Sequence, residues 1–320
     1  MRVQTLCATG AEGQRNTVDV VIRGRPQGTI VFFPGDISAG REEMKADEES
    51  REWLEWNTEA ICELLAKRCP VSMRVVLVRP SRMRQGFSCY DHFLTTNLNG
   101  DPLDGEYDPE GSCSLHLLML LQDLSRTLNI SEDEFFSSFH ILAFSKGGVV
   151  INQLLAELGA DVCVEGSRKL LAVTRSIGWL DPGVNEGSCV FLTNEELLRR
   201  AGRRLRGVTP PTTLFAVFTP FQLAVESYGF EYPEEEEAAT SEELGLDLVQ
   251  SIMKEEEVPF EVEFCCFDRE PTMQTHFHVL KEFRTWRFSR KAWNGQMTNK
   301  ERESFTRRIP LTLSRSCVLM

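Results

Sequence analysis

The chain has no apolar run of 18 residues, so nothing in it reads as a transmembrane helix. Basic residues are in deficit. Its 35 Lys and Arg stand against 48 Asp and Glu, a formal net charge of −13, whereas a nucleic-acid binder needs a cationic face to neutralise phosphates. None of the ten cysteines forms a C-x-x-C pair, and no His or Cys is spaced to complete a zinc site. The scatter argues against a metal centre and favours free thiols in a reducing compartment. No cofactor is implied. Only five histidines are present, so chemistry that needs an imidazole has few candidates. The first 25 residues carry Arg2, Arg15, Arg23 and Arg25 against Glu12 and Asp19 and lack an apolar signal core. That argues against a secretory signal and leaves a weak or truncated mitochondrial presequence open.

What is present suffices for a packed core: at 42% hydrophobic over 320 residues, the chain can build one large α/β domain or two smaller ones. The organising stretch is Phe139-His140-Ile141-Leu142-Ala143-Phe144-Ser145-Lys146-Gly147-Gly148, followed by an apolar run over 149–158. This predicts strand, sharp turn, helix. When a serine sits in such a turn with its hydroxyl above the sheet, the residues two before and two after must be small. Here they are Ala143 and Gly147, one methyl away from G-x-S-x-G. The same glycine pair would also serve a helix that simply packs closely on a strand. Lys146 reads as an exposed lysine at a helix start, or as a charge favouring an anionic substrate group.

Upstream, a strand over 28–33 runs into Pro34-Gly35-Asp36. If Ser145 is a nucleophile, the backbone N–H groups of Asp36 or Ile37 and of Lys146 are the expected oxyanion donors. An ordinary Pro-Gly turn is the alternative. Trp53, Trp56, Ala60, Ile61, Leu64 and Leu65 recur at helical spacing and predict a helix over 53–68, with both tryptophans as core anchors. A strand over 73–78 follows. Residues 81–97 fit neither period, and Ser88, Cys89, Tyr90, Asp91 and His92 read as pocket wall. A loop over 99–112 and a helix over 115–128 complete this half.

Downstream, a β-rich run over 170–180 ends at Asp181-Pro182-Gly183, which places a carboxylate where it could orient a histidine, although Asp-Pro-Gly is also a common turn opener. A strand over 212–218 leads to Thr219-Pro220 and then Glu226, the second candidate acid. Residues 231–257 are strongly acidic and read as a solvated face with a short helix over 241–253. A last strand over 259–267 precedes Thr275-His276-Phe277-His278, expected as a loop with His276 as the base and His278 as its fallback. His140 reads as a core residue within a strand, and His92 and His116 precede the serine. The order Ser145, Asp181, His276 is that of an α/β-hydrolase triad. A serine hydroxyl becomes nucleophilic when an imidazole takes its proton and a carboxylate holds that imidazole.

Six blocks, Phe33-Pro34-Gly35-Asp36, Ser81-Arg82-Met83 with Phe87-Ser88-Cys89-Tyr90-Asp91, Ala143 to Gly147, Trp179-Leu180-Asp181, Thr219-Pro220 and His276-Phe277, closely resemble a eukaryotic family named for an open reading frame on chromosome two. The resemblance spans residues 30–283. It implies a mitochondrial protein with an α/β-hydrolase-like fold and a Ser-Asp-His site, tied to mitochondrial function and to lipid or glycogen handling. Two features depart from the family. Its usual N-terminal extension is largely missing, and residues 284–320 continue beyond the His-Phe motif. That tail is basic and ends Cys317-Val318-Leu319-Met320, a C-a-a-X pattern that would allow farnesylation of Cys317 and contact with a membrane surface.

The expectation is therefore an N-terminal segment over 1–24, an α/β-hydrolase-like domain over 25–283 with a mostly parallel central sheet and helices on both faces, and a disordered basic tail over 284–320. Ser145, His276 and Asp181 would hydrolyse a small ester or thioester with an apolar acyl group. The competing reading is a catalytically inactive scaffold or binding protein on the same fold. Localisation is mitochondrial by resemblance, or cytoplasmic or membrane-bound through the tail.

Overall fold

Runs rich in Val, Ile and Phe that are buried on both sides become the central strands. In a computed structural model, residues 2–24, 26–184, 190–223 and 245–288 are described. The strands are β1 (Gln4–Thr9), β2 (Arg15–Val21), β3 (Gly28–Phe33), β4 (Met73–Val78), a short hairpin of β5 (Arg82–Arg84) and β6 (Phe87–Cys89), then β7 (Phe139–Phe144), β8 (Thr174–Leu180), β9 (Thr213–Phe218) and β10 (Phe260–Phe264). Every residue of β3, β4 and β7 is buried, as strands covered on both faces require.

The main sheet has the order β1-β2-β4-β3-β7-β8-β9-β10. Strand β2 runs antiparallel to both β1 and β4, and all later pairs are parallel. Reversal of order at β3 and β4, followed by a parallel run in sequence order, is an α/β-hydrolase fold. Parallel neighbours need crossover helices. Those used here are α1 (Thr58–Arg68), α2 (Cys113–Thr127), α3 (Gly148–Gly159), α4 (Glu165–Val173), α5 (Glu195–Arg206) and α6 (Leu246–Glu255), and α7 (Met273–Glu282) follows the last strand.

The helices form two layers. Helix α1 lies on β2 and β4 and meets α7, while α2 to α6 pack among themselves against the other face. Alternation along the strands feeds both layers. Val31, Phe33, Ile141, Ala143, Ile177 and Trp179 join the cluster under α2, α3 and α5, so the residues between them, Phe32, Leu142, Phe144 and Leu180 among them, turn to the side of α1 and α7. No helix among the described residues is long and apolar enough to cross a membrane.

Four local expectations change. Residues 4–21 are two strands of the sheet, so the domain begins well before residue 25. The helix over 53–68 is broken: Ser50–Trp56 is a 3-10 segment, and Asn57 then caps α1 by accepting the Ala60 N–H at 3.0 Å. The run over 170–180 is helical as far as Val173, because Leu170 is the buried residue of an amphipathic turn, and strand only from Thr174. His276 lies in a helix, not a loop: Thr272 caps α7 by accepting the Thr275 N–H at 3.2 Å. The chain divides into two compact units, Met1–Phe283 and Arg284–Met320, and in the second the described residues make a short 3-10 turn at Thr285–Phe288.

Candidate active site

Ser145 directly follows β7, whose last residue, Phe144, pairs with Leu180, the last of β8; Asp181 directly follows β8. The two side chains therefore start from adjacent strand ends, about 5 Å apart in a sheet. Both backbones are strained in the left-handed region, Ser145 at φ 51° and Asp181 at φ 44°. A 3-10 turn over Ser145–Gly147 leads into α3.

Close approach on both sides explains the small residues. A Cβ on Gly147 would lie 2.3 Å from the carbonyl oxygen of Phe33, so only glycine lets the turn settle on β3. A Cβ on Gly35 would lie 2.5 Å from Cβ of Ser145, so the Pro34–Asp36 backbone runs directly against the serine. Ala143 is buried at the position two before it. Ser145 itself retains 8% exposure.

The histidine arrives from the other end of the chain. His276 Nδ1 lies 2.7 Å from Asp181 Oδ2, with both side chains buried. A carboxylate only accepts, so Nδ1 carries the hydrogen, and in the neutral ring that leaves Nε2 as the acceptor. Asp181 is held in turn by Thr219, whose N–H donates to Oδ1 at 2.7 Å and whose hydroxyl donates to Oδ2 at 2.5 Å. Sequence reading noted Thr219 only as part of a Thr-Pro motif. It directly follows the apolar run of β9, which is the sequence signal, and the pairing of β9 with β8 brings it to Asp181. The His276 ring lies between Phe144 at 4.4 Å and Phe221 at 4.7 Å, which places it beside the residue preceding Ser145. No hydrogen bond joins Ser145 to His276 among the described residues.

The other histidines are engaged elsewhere. His278 Nδ1 meets the Gln274 carbonyl at 2.6 Å on another side of α7. His140 sits in β7 between Ser138 and Ser176. His92 and His116 both contact Asn16 Oδ1, at 3.0 and 2.9 Å. Glu226 and Cys317 lie outside the described residues.

Two expected details are corrected. Ile37 (φ 69°) already donates its N–H to the Gly86 carbonyl at 2.7 Å, so that group is committed to the loop and not to an oxyanion. Lys146 is not at the surface. Its side chain is 1% exposed and forms an ion pair with Asp101, which is fully buried, so it offers no charge to an anionic substrate. Its backbone N–H, in the first turn of the helix, has no acceptor a turn earlier. The Asp36 carboxylate accepts the Ser88 N–H at 2.7 Å.

A cavity of about 30 Å³ lies between α2, α3 and α4, lined by residues such as Ile141, Leu154 and Leu170. It has room for about one water and is too small for an acyl chain.

A family model described as C2orf69 matches residues 21–140 and 129–224. The mouse protein named "Mitochondrial protein C2orf69 homolog" is 27% identical over 277 residues, covering 69% of this chain and 73% of its own length. The human "Mitochondrial protein C2orf69" is 28% identical, covering 54% of this chain and 57% of the human protein, and the Danio rerio homologue is 28% identical over 79% and 72%. Among solved structures, dienelactone hydrolase from Anabaena variabilis aligns at 11% identity over 88% of this chain and 95% of that one, with a TM-score of 0.43. Siderophore hydrolase EstB from Aspergillus nidulans aligns at 12% identity over 90% and 95%, with a TM-score of 0.45.

Proposed function

The chain belongs to the C2orf69 family, and from that premise and the geometry around Ser145 we propose that it is a mitochondrial serine hydrolase of an ester or thioester. The observation that carries this reading is the His276–Asp181 pair, whose imidazole packs on Phe144, the residue directly before a serine held at positive φ between strand and helix, as a nucleophile elbow requires. Ser145 Oγ attacks the acyl carbon and gives its proton to His276 Nε2. The negative oxygen that forms is met by the N–H of Lys146 and a second donor from the 34–36 turn. His276 then protonates the leaving alcohol or thiol, and water repeats the sequence on the acyl-enzyme. The aromatic surround of His276 favours an apolar acyl group.

One observation favours a second reading, a catalytically silent fold that binds a partner or lipid: Ser145 makes no hydrogen bond to His276. Such bonds are commonly long before substrate enters and tighten in the complex, so the observation does not displace the first reading. A fluorophosphonate probe decides between them. Labelling of the purified chain that disappears in Ser145→Ala supports hydrolysis; an unreactive chain, or labelling that persists in the variant, supports binding.

A further inference from the structure

We infer that one segment, residues 82–101, sets the oxyanion pocket by gripping both pieces of backbone that form it; this rests on the hydrolase reading above. Ser88, Tyr90 and Asp101 are then positioning residues that never touch substrate.

The first grip is on residues 34–37. The Tyr90 hydroxyl donates to the Pro34 carbonyl at 2.5 Å, and the Ser88 hydroxyl to the Gly35 carbonyl at 2.7 Å. The Ser88 N–H donates to Asp36 Oδ1 at 2.7 Å, and Gly86 accepts from the Ile37 N–H at 2.7 Å. Four successive residues of a turn outside the sheet are thus each tied to the hairpin or to Tyr90, the residue that follows it. The turn is the one whose Gly35 lies against the Ser145 side chain.

The second grip is on the residue after the serine. Asp101 pairs with Lys146 in a site where both side chains are sealed from solvent. A buried ion pair is rarely more stabilising than an apolar pair of similar volume, so its use here is orientation: it draws the Lys146 side chain inward and fixes the turn that carries the Lys146 N–H.

The two grips belong to one body. A Cβ on Gly100 would lie 2.3 Å from the Ser88 carbonyl oxygen, so residue 100 rests on the strand that holds the 34–37 turn. Asn97 and Asp101 also bond to each other, the Asn97 N–H donating to the Asp101 carbonyl at 2.9 Å and the Asn97 side-chain Oδ1 accepting the Asp101 N–H at 3.1 Å. Oxyanion donors act only when held to within a fraction of an ångström, and displacement by about 1 Å costs on the order of a hundredfold in rate.

The test uses the full chain and saturation kinetics with a fluorophosphonate, normalised to the fraction that labels at completion. Three variants are compared: Ser88→Ala, Asp101→Asn, and the double variant Lys146→Met with Asp101→Leu, which removes both charges and keeps the site packed. The expected result is a maximal inactivation rate lowered about ten- to a hundredfold with the probe's half-saturation concentration little changed; the melting temperature changes little in Ser88→Ala and the double variant and falls in Asp101→Asn, which leaves the buried Lys146 charge unpaired. A merely structural role would lower the fraction labelled and leave that rate alone. Folded variants whose maximal rate stays within about twofold of wild type overturn the inference. Where one variant fails to fold, the other two decide. A wild-type chain that does not label overturns the hydrolase reading and this inference with it, a result distinct from a reactive wild type with unaffected variants.

Discussion

Trp56 stacks on Phe277 with ring centroids 4.9 Å apart and planes inclined by 14°, and Phe277 is the residue after His276. The contact ties the 3-10 segment ahead of α1 to the helix that delivers the imidazole, across more than two hundred residues of chain. Trp53 stacks on the same ring at 5.8 Å but is only half-buried, so Trp56 is the core anchor the sequence suggests and Trp53 lies at the core's edge.

Replacing Trp56 with Ala removes a fully buried indole, and the cost is about 3–5 kcal/mol of stability. Urea denaturation measures it. An unchanged midpoint would show that α7 is held by other contacts.

Asp181→Asn keeps the shape of the pair with His276 and removes the charge that selects the Nδ1–H tautomer. In a serine protease triad the corresponding change lowers kcat by about 10⁴, and a loss of about that order is expected here in probe labelling. Thr219→Val removes one donor to Asp181 and keeps the carboxylate, so its effect is smaller, about tenfold. If both variants react at the wild-type rate, Asp181 does not orient the base.

Gly147→Ala forces a methyl to within 2.3 Å of the Phe33 carbonyl oxygen, and backbone has nowhere to give. The expected loss is about 1–3 kcal/mol or more, read as a lowered melting temperature. Gly35→Ala has a different readout. Its methyl meets the Ser145 side chain, so labelling falls more than stability does.

Acid is expected to destabilise this protein partly through two histidines outside the site. His116 accepts the Ala11 N–H on Nδ1 at 3.2 Å, and burial, with the nearby His92, lowers its pKa from 6.5 to about 4. Burial, with the charge of Arg175, lowers that of His140 to about 3. Both native forms bind fewer protons than the unfolded chain between those values and 6.5. Their contribution is therefore complete above pH 6.5 and is lost as pH falls toward 4 and 3. Denaturation midpoints between pH 7 and about 5 should decline, and His116→Gln should flatten that slope.

Strand positions and the serine turn were legible because they are local. Apolar runs bounded by Gly and Pro mark β3, β4, β7 and β9, and the small residues around Ser145 report a backbone that must come close to something. Asp181 was legible for the same reason, as a carboxylate at a strand end. Lys146 was not: charge and helix position point outward, and only a buried Asp101 from a loop 45 residues away turns it inward. Ile37 fails likewise, since nothing nearby in sequence announces that Gly86 takes its N–H.

Sequence alone determined where the central strands β3, β4, β7 and β9 stop, and with that which side chains could stand at the edge of a parallel sheet, because period and backbone sterics act over a few residues. Tertiary structure decided which of those groups meet. The His276–Asp181 pair, the Thr219 support and the 82–101 clamp each join segments whose adjacency is set by strand order, and strand order comes from packing the whole core at once.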